Sequence, residues 1–286
     1  MDDPDSPVRL AMVGAGWAVD QIWAPALDGL PELEVTVVAD PNPDARQHAV
    51  NVLGGAKAVA AADELSPEDA DLAVVATPNY LHGPVTASLL SRGIPVFVEK
   101  PVCLRPDEAA EIAAAERAGG TRLLAGTAAW HRADVQALRE LAGELGEPRS
   151  MELTWTRASG VPARGSWFTD RSRAGGGALV DLGWHMLTVG LRLLGWPTVE
   201  EVIGAVSGDF MDSGASGADW HEATGDTGAS VDVEDTARAA FRTESGVLCS
   251  LIVAWASPTE TDCTRIVVEG SKGRAELTCT FGLSPN

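Results

Sequence analysis

Lysine is nearly absent from this chain: Lys57, Lys100 and Lys272 stand against eighteen arginines. Basic charge as a whole is in deficit, with a formal net charge of −20 and a pI of about 4.5. That balance argues against nucleic acid or an anionic membrane as partner. No apolar stretch reaches the roughly 18 residues needed to span a membrane, and with the acidic start Met1-Asp2-Asp3-Pro4-Asp5 a signal peptide is not expected. Cysteine is sparse. Cys103, Cys249, Cys263 and Cys279 lie far apart, with no C-x-x-C and no histidine at ligand spacing. Three of them fall in strand-like segments, so buried thiols in a reducing cytoplasm are expected and a structural metal is not. Tyrosine occurs once against nine tryptophans, most of them expected in the core.

What remains is a globular composition of 286 residues, 45% hydrophobic and 22% charged, enough for two ordinary domains. Apolar runs at Val8–Val13, Glu34–Ala39, Lys57–Ala60, Leu72–Ala76, Ile94–Val98 and Thr121–Ala125 read as strands. Helical segments lie between them: one up to about Leu30, one over 43–53, one opened by Pro84 and stopped by Gly93, and one from Pro106 to Gly119-Gly120. This alternation predicts a doubly wound parallel sheet of the Rossmann kind over residues 1–126.

Over residues 127–286 the pattern changes to an α+β domain with an open, mostly antiparallel sheet. A helix is expected over 133–145, a strand over 149–157 and an apolar helix over 180–194. Strands then follow at 199–206, 233–241, 247–256, 264–268 and 274–279, with hairpin turns at Thr243–Gly246 and Gly270–Gly273. Residues 208–230, rich in Gly, Asp, Ala and Ser without period, read as a mobile loop. There are no internal repeats.

Three constellations carry chemistry. Gly14-Ala15-Gly16, ahead of Trp17, lies between a strand and a helix, where glycines let backbone approach a pyrophosphate at the helix N-terminus. Asp40 ends the second strand, where a carboxylate can bond both ribose hydroxyls and would repel a 2′-phosphate, so NAD is favoured over NADP. The third glycine position is Val19. Glu99-Lys100-Pro101 follows the Ile94–Val98 strand. An arginine-rich chain has kept lysine there, at a strand end facing the ligand crevice, and a lysine amine can exchange a proton where arginine cannot. Gly175-Gly176-Gly177 leads into Asp181 and His185, spaced i and i+4 and so on one helix face. The pair is read either as a proton acceptor with its carboxylate or as a helix cap and a core histidine.

Together these residues, with Thr77-Pro78-Asn79 and His82, resemble the Gfo/Idh/MocA family over about residues 7–280. The resemblance implies NAD(P) held by the first domain, with Gly14, Gly16, Trp17, Asp40, Thr77, Pro78, Asn79, His82, Glu99 and Lys100 around it. It implies substrate on the open sheet of the second domain, with Lys100 beside the nicotinamide and Asp181 and His185 at the reacting hydroxyl. It also implies homodimers or homotetramers packed through that sheet. Thr188 stands where many sugar-active relatives carry Asp, and Trp130 where many carry Arg. With Trp184 these suggest a substrate pocket with more apolar surface than a free sugar needs. The chain stops at Asn286, short of the helix with which relatives usually return to the first domain. The expected activity is NAD-dependent hydride transfer at a secondary alcohol or ketone of a sugar, cyclitol or related polyol. Alternatives are transient use of NAD for glycoside hydrolysis or epimerisation, and a non-catalytic NAD-binding regulator.

Overall fold

The apolar stretches 10–13, 37–39 and 73–75 of the first half become the buried centre of a sheet, in a computed structural model that describes residues 6–55, 57–210, 231–259 and 261–279. In the unit Met1–Gly126 the order is β1 (Val8–Val13), α1 (Ala24–Leu27), β2 (Leu33–Ala39), α2 (Pro43–Leu53), β3 (Lys57–Val59), β4 (Leu72–Val75), α3 (Asn79–Ser91), β5 (Val96–Val98), α4 (Pro106–Gly119) and β6 (Leu123–Ala125). All six strands run parallel in the order β3-β2-β1-β4-β5-β6. The order reverses between β1 and β4, and in such sheets the crevice at that switch point, outside the carboxyl ends of the strands, is where ligands bind. Gly14, Asp40, Thr77 and Lys100 all follow strand ends on that side.

One helix boundary differs from expectation. α3 starts at Asn79, so Pro84 lies inside it instead of opening it. Proline removes one intrahelical bond there, while Asn79, His82 and Gly83 are buried and hold the turn ahead of it.

The unit Thr127–Asn286 contains α5 (Ala133–Ala142), β7 (Pro148–Thr156), α6 (Arg171–Ala174), α7 (Trp184–Leu193), β8 (Val199–Ser207), β9 (Thr236–Thr243), β10 (Leu248–Ala254), β11 (Cys263–Gly270) and β12 (Gly273–Cys279). Its sheet has the order β12-β11-β7-β10-β9-β8. Only the β10–β7 pair is parallel, so the sheet is mixed and mostly antiparallel. Alternation along β7 turns Met151, Leu153 and Trp155 inward. α7 lies so close above them that a methyl group on Gly190 would meet Leu153 Cδ1 at 2.8 Å and Met151 Sδ at 2.9 Å.

Two expected elements are redrawn. The helix over 180–194 is a wide π-helical turn, Leu179–Gly183, followed by α7. The strand expected from Val233 begins at Thr236, because the residues ahead of it leave the ladder to cap that turn. Of the loop expected over 208–230, residues 211–230 lie outside the described residues. Cys249, Cys263 and Cys279 sit in β10, β11 and β12, and no described cysteine forms a disulfide. Among the described residues, no helix is long and apolar enough to cross a membrane, and no group of three His, Cys, Asp or Glu side chains gathers as a metal site.

Candidate active site

In the first domain the strand ends form a cradle. Gly14 has φ +97°, and a Cβ there would meet Ala76 O at 2.7 Å and Thr77 N at 2.9 Å. Only glycine lets β1 turn this close to the end of β4. A Cβ on Gly16 would meet nothing within 4 Å, so the space above it is open. Val19, at the third glycine position, is 1% exposed and packs with Leu10 and Met12, filling the role of close helix–strand contact with its own side chain. Asp40 is fixed on both oxygens: Ala15 N–H donates to Oδ2 at 2.8 Å and Asn42 N–H to Oδ1 at 2.8 Å. A carboxylate has about four lone-pair sites, so two bonds leave capacity for ribose hydroxyls. Thr77 Oγ1 is buried with no hydrogen-bond partner among the described residues. The tight glycine, the open glycine, the oriented acid and the unfilled hydroxyl fit a dinucleotide. Trp17 is half-buried at the start of the helical turn that follows.

Glu99 and His82 turn out to be supports. Trp23 Nε1 donates to Glu99 Oε1 at 3.1 Å, and Lys100 N–H donates to Glu99 Oε2 at 3.3 Å, so Glu99 fixes the backbone at Lys100. The His82 ring is 1% exposed. Its Nδ1 lies 2.6 Å from Pro101 O and its Nε2 2.7 Å from Thr77 O, tying the loop after β4 to the loop after β5. Burial lowers the pKa of this imidazole, and the two carbonyls oppose that shift. Neither ring nitrogen is turned out toward a ligand, which revises the expectation that His82 touches the cofactor. Pro78 precedes α3 and Asn79 opens it, 7% exposed.

In the second domain Glu234 organises the segment carrying Asp181 and His185. Glu234 Oε1 accepts from Gly177 N–H at 2.9 Å and Leu179 N–H at 3.0 Å, and Glu234 O accepts from Ala178 N–H at 2.9 Å. These are donors a helical start leaves unpaired, and the carboxylate also suits the positive end of the helical dipole. The triple glycine therefore serves this chain's own backbone. A Cβ on Gly177 would stand 1.8 Å from Glu234 O. With the cap supplied by Glu234, Asp181 is not the cap. It is 9% exposed, and its Oδ2 accepts from Trp255 Nε1 at 2.9 Å, an indole that is itself 0% exposed. His185 is half-buried beside Trp155, with ring centroids 5.7 Å apart. Thr188 lies one turn further along α7, partly exposed. Trp184 Nε1 is buried without a partner among the described residues.

Trp130 departs from expectation. It is 7% exposed in the second-domain core, with the Arg192 guanidinium 4.3 Å above its ring. It is not an open platform for a substrate. Sequence reasoning also missed Trp23, Glu234 and Trp255. The sign that was available was a pair of acids, Glu234-Asp235, inside a run read as a buried strand, where unpaired carboxylates are costly.

Residues 8–127 match the oxidoreductase family with an NAD-binding Rossmann fold, and residues 135–276 match the GFO/IDH/MocA C-terminal domain. A protein of Amycolatopsis mediterranei named as a candidate UDP-kanosamine synthase oxidoreductase subunit is 50% identical over 280 residues, covering 98% of this chain and 77% of the relative. The D-glucoside 3-dehydrogenase of Escherichia coli is 32% identical over 200 residues, covering 69% of this chain and 57% of the relative. The crystal structure of GenD2 from gentamicin A biosynthesis, in complex with NAD, superposes with a TM-score of 0.79 at 25% identity, covering 97% of this chain and 74% of that one. The chain is thus shorter than the relatives it matches. With both halves accounted for, it belongs to the Gfo/Idh/MocA family of NAD-binding oxidoreductases.

Proposed function

We propose that the protein is an NAD-dependent dehydrogenase that oxidises a secondary ring hydroxyl of a hexose carried on a nucleoside diphosphate. The observation that carries this reading is the pinned Asp181, a carboxylate 9% exposed and oriented by a fully buried indole, one turn before His185. The nucleotide-linked substrate is suggested by the relative named for UDP-kanosamine, and ring carbon 3 by those named D-glucoside 3-dehydrogenase and dTDP-3,4-didehydro-2,6-dideoxy-alpha-D-glucose 3-reductase.

Gly14, Gly16, Asp40, Thr77 and Asn79 would hold the dinucleotide, whose chemistry when bound is to accept hydride from the carbinol carbon. The chain's own residues handle the proton. His185 takes it from the hydroxyl oxygen, and Asp181, whose carboxylate is oriented by the Trp255 N–H, lies one turn before it on the same face. Lys100, positioned by Glu99, contributes a compact ammonium that polarises the reacting oxygen and can exchange a proton with it, which a fixed charge could not do. Homo-oligomerisation through the second sheet belongs to the same reading. On its edge strand β8, Val202, Ile203 and Val206 are 69%, 76% and 56% exposed.

The test is NADH formation with UDP-glucose, methyl glucoside, free glucose and myo-inositol, with NAD and NADP in turn. Turnover with NAD and the UDP-hexose, giving a keto-sugar, is the expected result. No reduction of either cofactor with any of the four would overturn the proposal.

Two substitutions refine it. Asp40→Ser should narrow the preference for NAD over NADP by about tenfold or more, since it removes the charge that repels a 2′-phosphate. Arg46 Nη1, which donates to Asp40 O, is then at hand as a cation. Equal affinities for the two cofactors in the unmodified protein would refute the assignment. Trp255→Phe keeps an aromatic ring at this buried position and deletes the donor to Asp181. A hydrogen bond to a charged group is worth about 1.5–3 kcal/mol, so turnover should fall about 10- to 100-fold while NAD affinity is kept. Unchanged turnover would make this bond structural only.

A further inference from the structure

The second domain has a cavity of about 410 Å³ between the C-terminal ends of α5 and α7, and Trp130, Arg139, Arg192 and Trp196 are among the residues that line it. That volume is within the range of small-ligand sites. Two features are unusual for a chain with a net charge of −20. Both arginines converge on the Trp130 ring, with guanidinium carbons 4.3 Å (Arg192) and 5.8 Å (Arg139) from its centroid. Among the described residues, neither makes an ion pair, and the one side-chain bond of Arg139 is to Gln136 Oε1 at 3.2 Å. A guanidinium stacked on an indole keeps its in-plane N–H donors for a bidentate oxyanion.

The second feature is Trp196. It is 59% exposed, with φ +59°. It follows Gly195, and the two close α7 with N–H bonds from Gly195 to Arg192 O at 3.1 Å and from Trp196 to Leu191 O at 2.8 Å. A bulky residue in the left-handed region, held immediately before Pro197, costs free energy that a glycine or asparagine would avoid. The product of that strain is a large indole at the cavity wall.

We infer that this cavity is a nucleoside-diphosphate subsite, with the diphosphate on Arg139 and Arg192 and the base stacked on Trp196. His185, Thr188 and Arg192 are i, i+3 and i+7 on α7 and therefore share a flank, with a rise of about 10 Å from the first to the last. A hexose ring and its anomeric diphosphate span a comparable length. The flank that presents His185 to a ring hydroxyl thus presents Arg192 where the diphosphate of the same molecule would lie. This inference rests on the proposed function for the sugar end, but the nucleotide end stands on the arginines and indoles alone.

The experiment is titration of UDP into protein saturated with NAD, so that the pyrophosphate site of the first domain is filled, followed by indole fluorescence and calorimetry. UDP should bind, and uridine and inorganic pyrophosphate should each bind at least tenfold more weakly. Arg192→Gln should weaken UDP about tenfold or more. Arg139→Gln and Trp196→Ala, both exposed and outside the core, should each weaken it about three- to tenfold if Arg192→Gln does not fold. In turnover the same variants should raise KM for the UDP-hexose and leave that for methyl glucoside unchanged. Pyrophosphate binding as tightly as UDP, or UDP affinity that survives Arg139→Gln and Trp196→Ala, would overturn the inference. Turnover of UDP-hexose with unchanged KM in these variants would remove the subsite and spare the proposed function. UDP binding lost in the variants of a protein that turns over no sugar would do the reverse.

Discussion

Lys100→Arg should lose nearly as much turnover as Lys100→Ala, about 10²- to 10⁴-fold, while NAD binding largely survives. Arginine preserves the charge, so an electrostatic anchor would tolerate it. It cannot release a proton, and its wide planar fork cannot take the place of a compact ammonium. The surroundings leave little slack for adjustment. Glu99 is tied to Trp23 and to the Lys100 N–H, Trp23 packs edge-on against Phe97 with centroids 5.2 Å apart, and His82 bridges Thr77 and Pro101. The backbone that carries Lys100 is therefore held from three sides, and a longer, differently shaped head group would be presented off its position. The measurement is kcat for both variants beside NAD affinity by fluorescence. Near-normal kcat in Lys100→Arg would reduce Lys100 to a fixed positive charge.

What the sequence disclosed and what it hid follow from the range of the interactions. Residues 10–13 and 72–75 were readable because stretches of strand at the buried centre of a parallel sheet must be apolar throughout. Gly14 and Asp40 were readable because the motif lies within one β-α-β unit. Pro84 misled, since its preference for a helix start is local while burial of Asn79, His82 and Gly83 is tertiary. The acids at Glu234-Asp235 were a visible sign, but the partners of Glu234 and Trp255 were out of reach. Their bonds to Gly177 and Asp181 cross 57 and 74 residues, and only the register of the second sheet brings them together. The surroundings of Trp130 were hidden for the same reason. Its place in the sequence suggested a substrate contact, and its neighbour Arg192 on α7 made it the floor beneath a guanidinium.

Gly177→Ala should be the most damaging small substitution in the second domain. The added Cβ would lie 1.8 Å from Glu234 O, 2.8 Å from its carbonyl carbon and 3.0 Å from its nitrogen. All three are backbone atoms, so no side-chain rotation can relieve the clash and one of the two segments must move. Moving it breaks the bonds from Gly177, Ala178 and Leu179 to Glu234. Overpacking costs about 1–3 kcal/mol and loss of a helix cap about 1 more, together about 2–4 kcal/mol. For a domain of this size each kcal/mol lowers Tm by about 2–4 °C, so the second domain should melt about 4–16 °C earlier. The turn that shifts is the one that carries Asp181 toward Trp255, so turnover measured well below the new Tm should also fall. Gly176→Ala serves as the comparison, because its Cβ would clash with Val180 Cγ2 at 2.8 Å, a methyl group that can shift, and would meet Glu234 Oε1 and Oε2 at 3.5 and 3.6 Å, ordinary contacts under which the Glu234 bonds persist. Equal losses in Tm for the two variants would mean that glycine is needed along this stretch for conformational freedom. A loss confined to Gly177 would mean that it is needed to let Glu234 in.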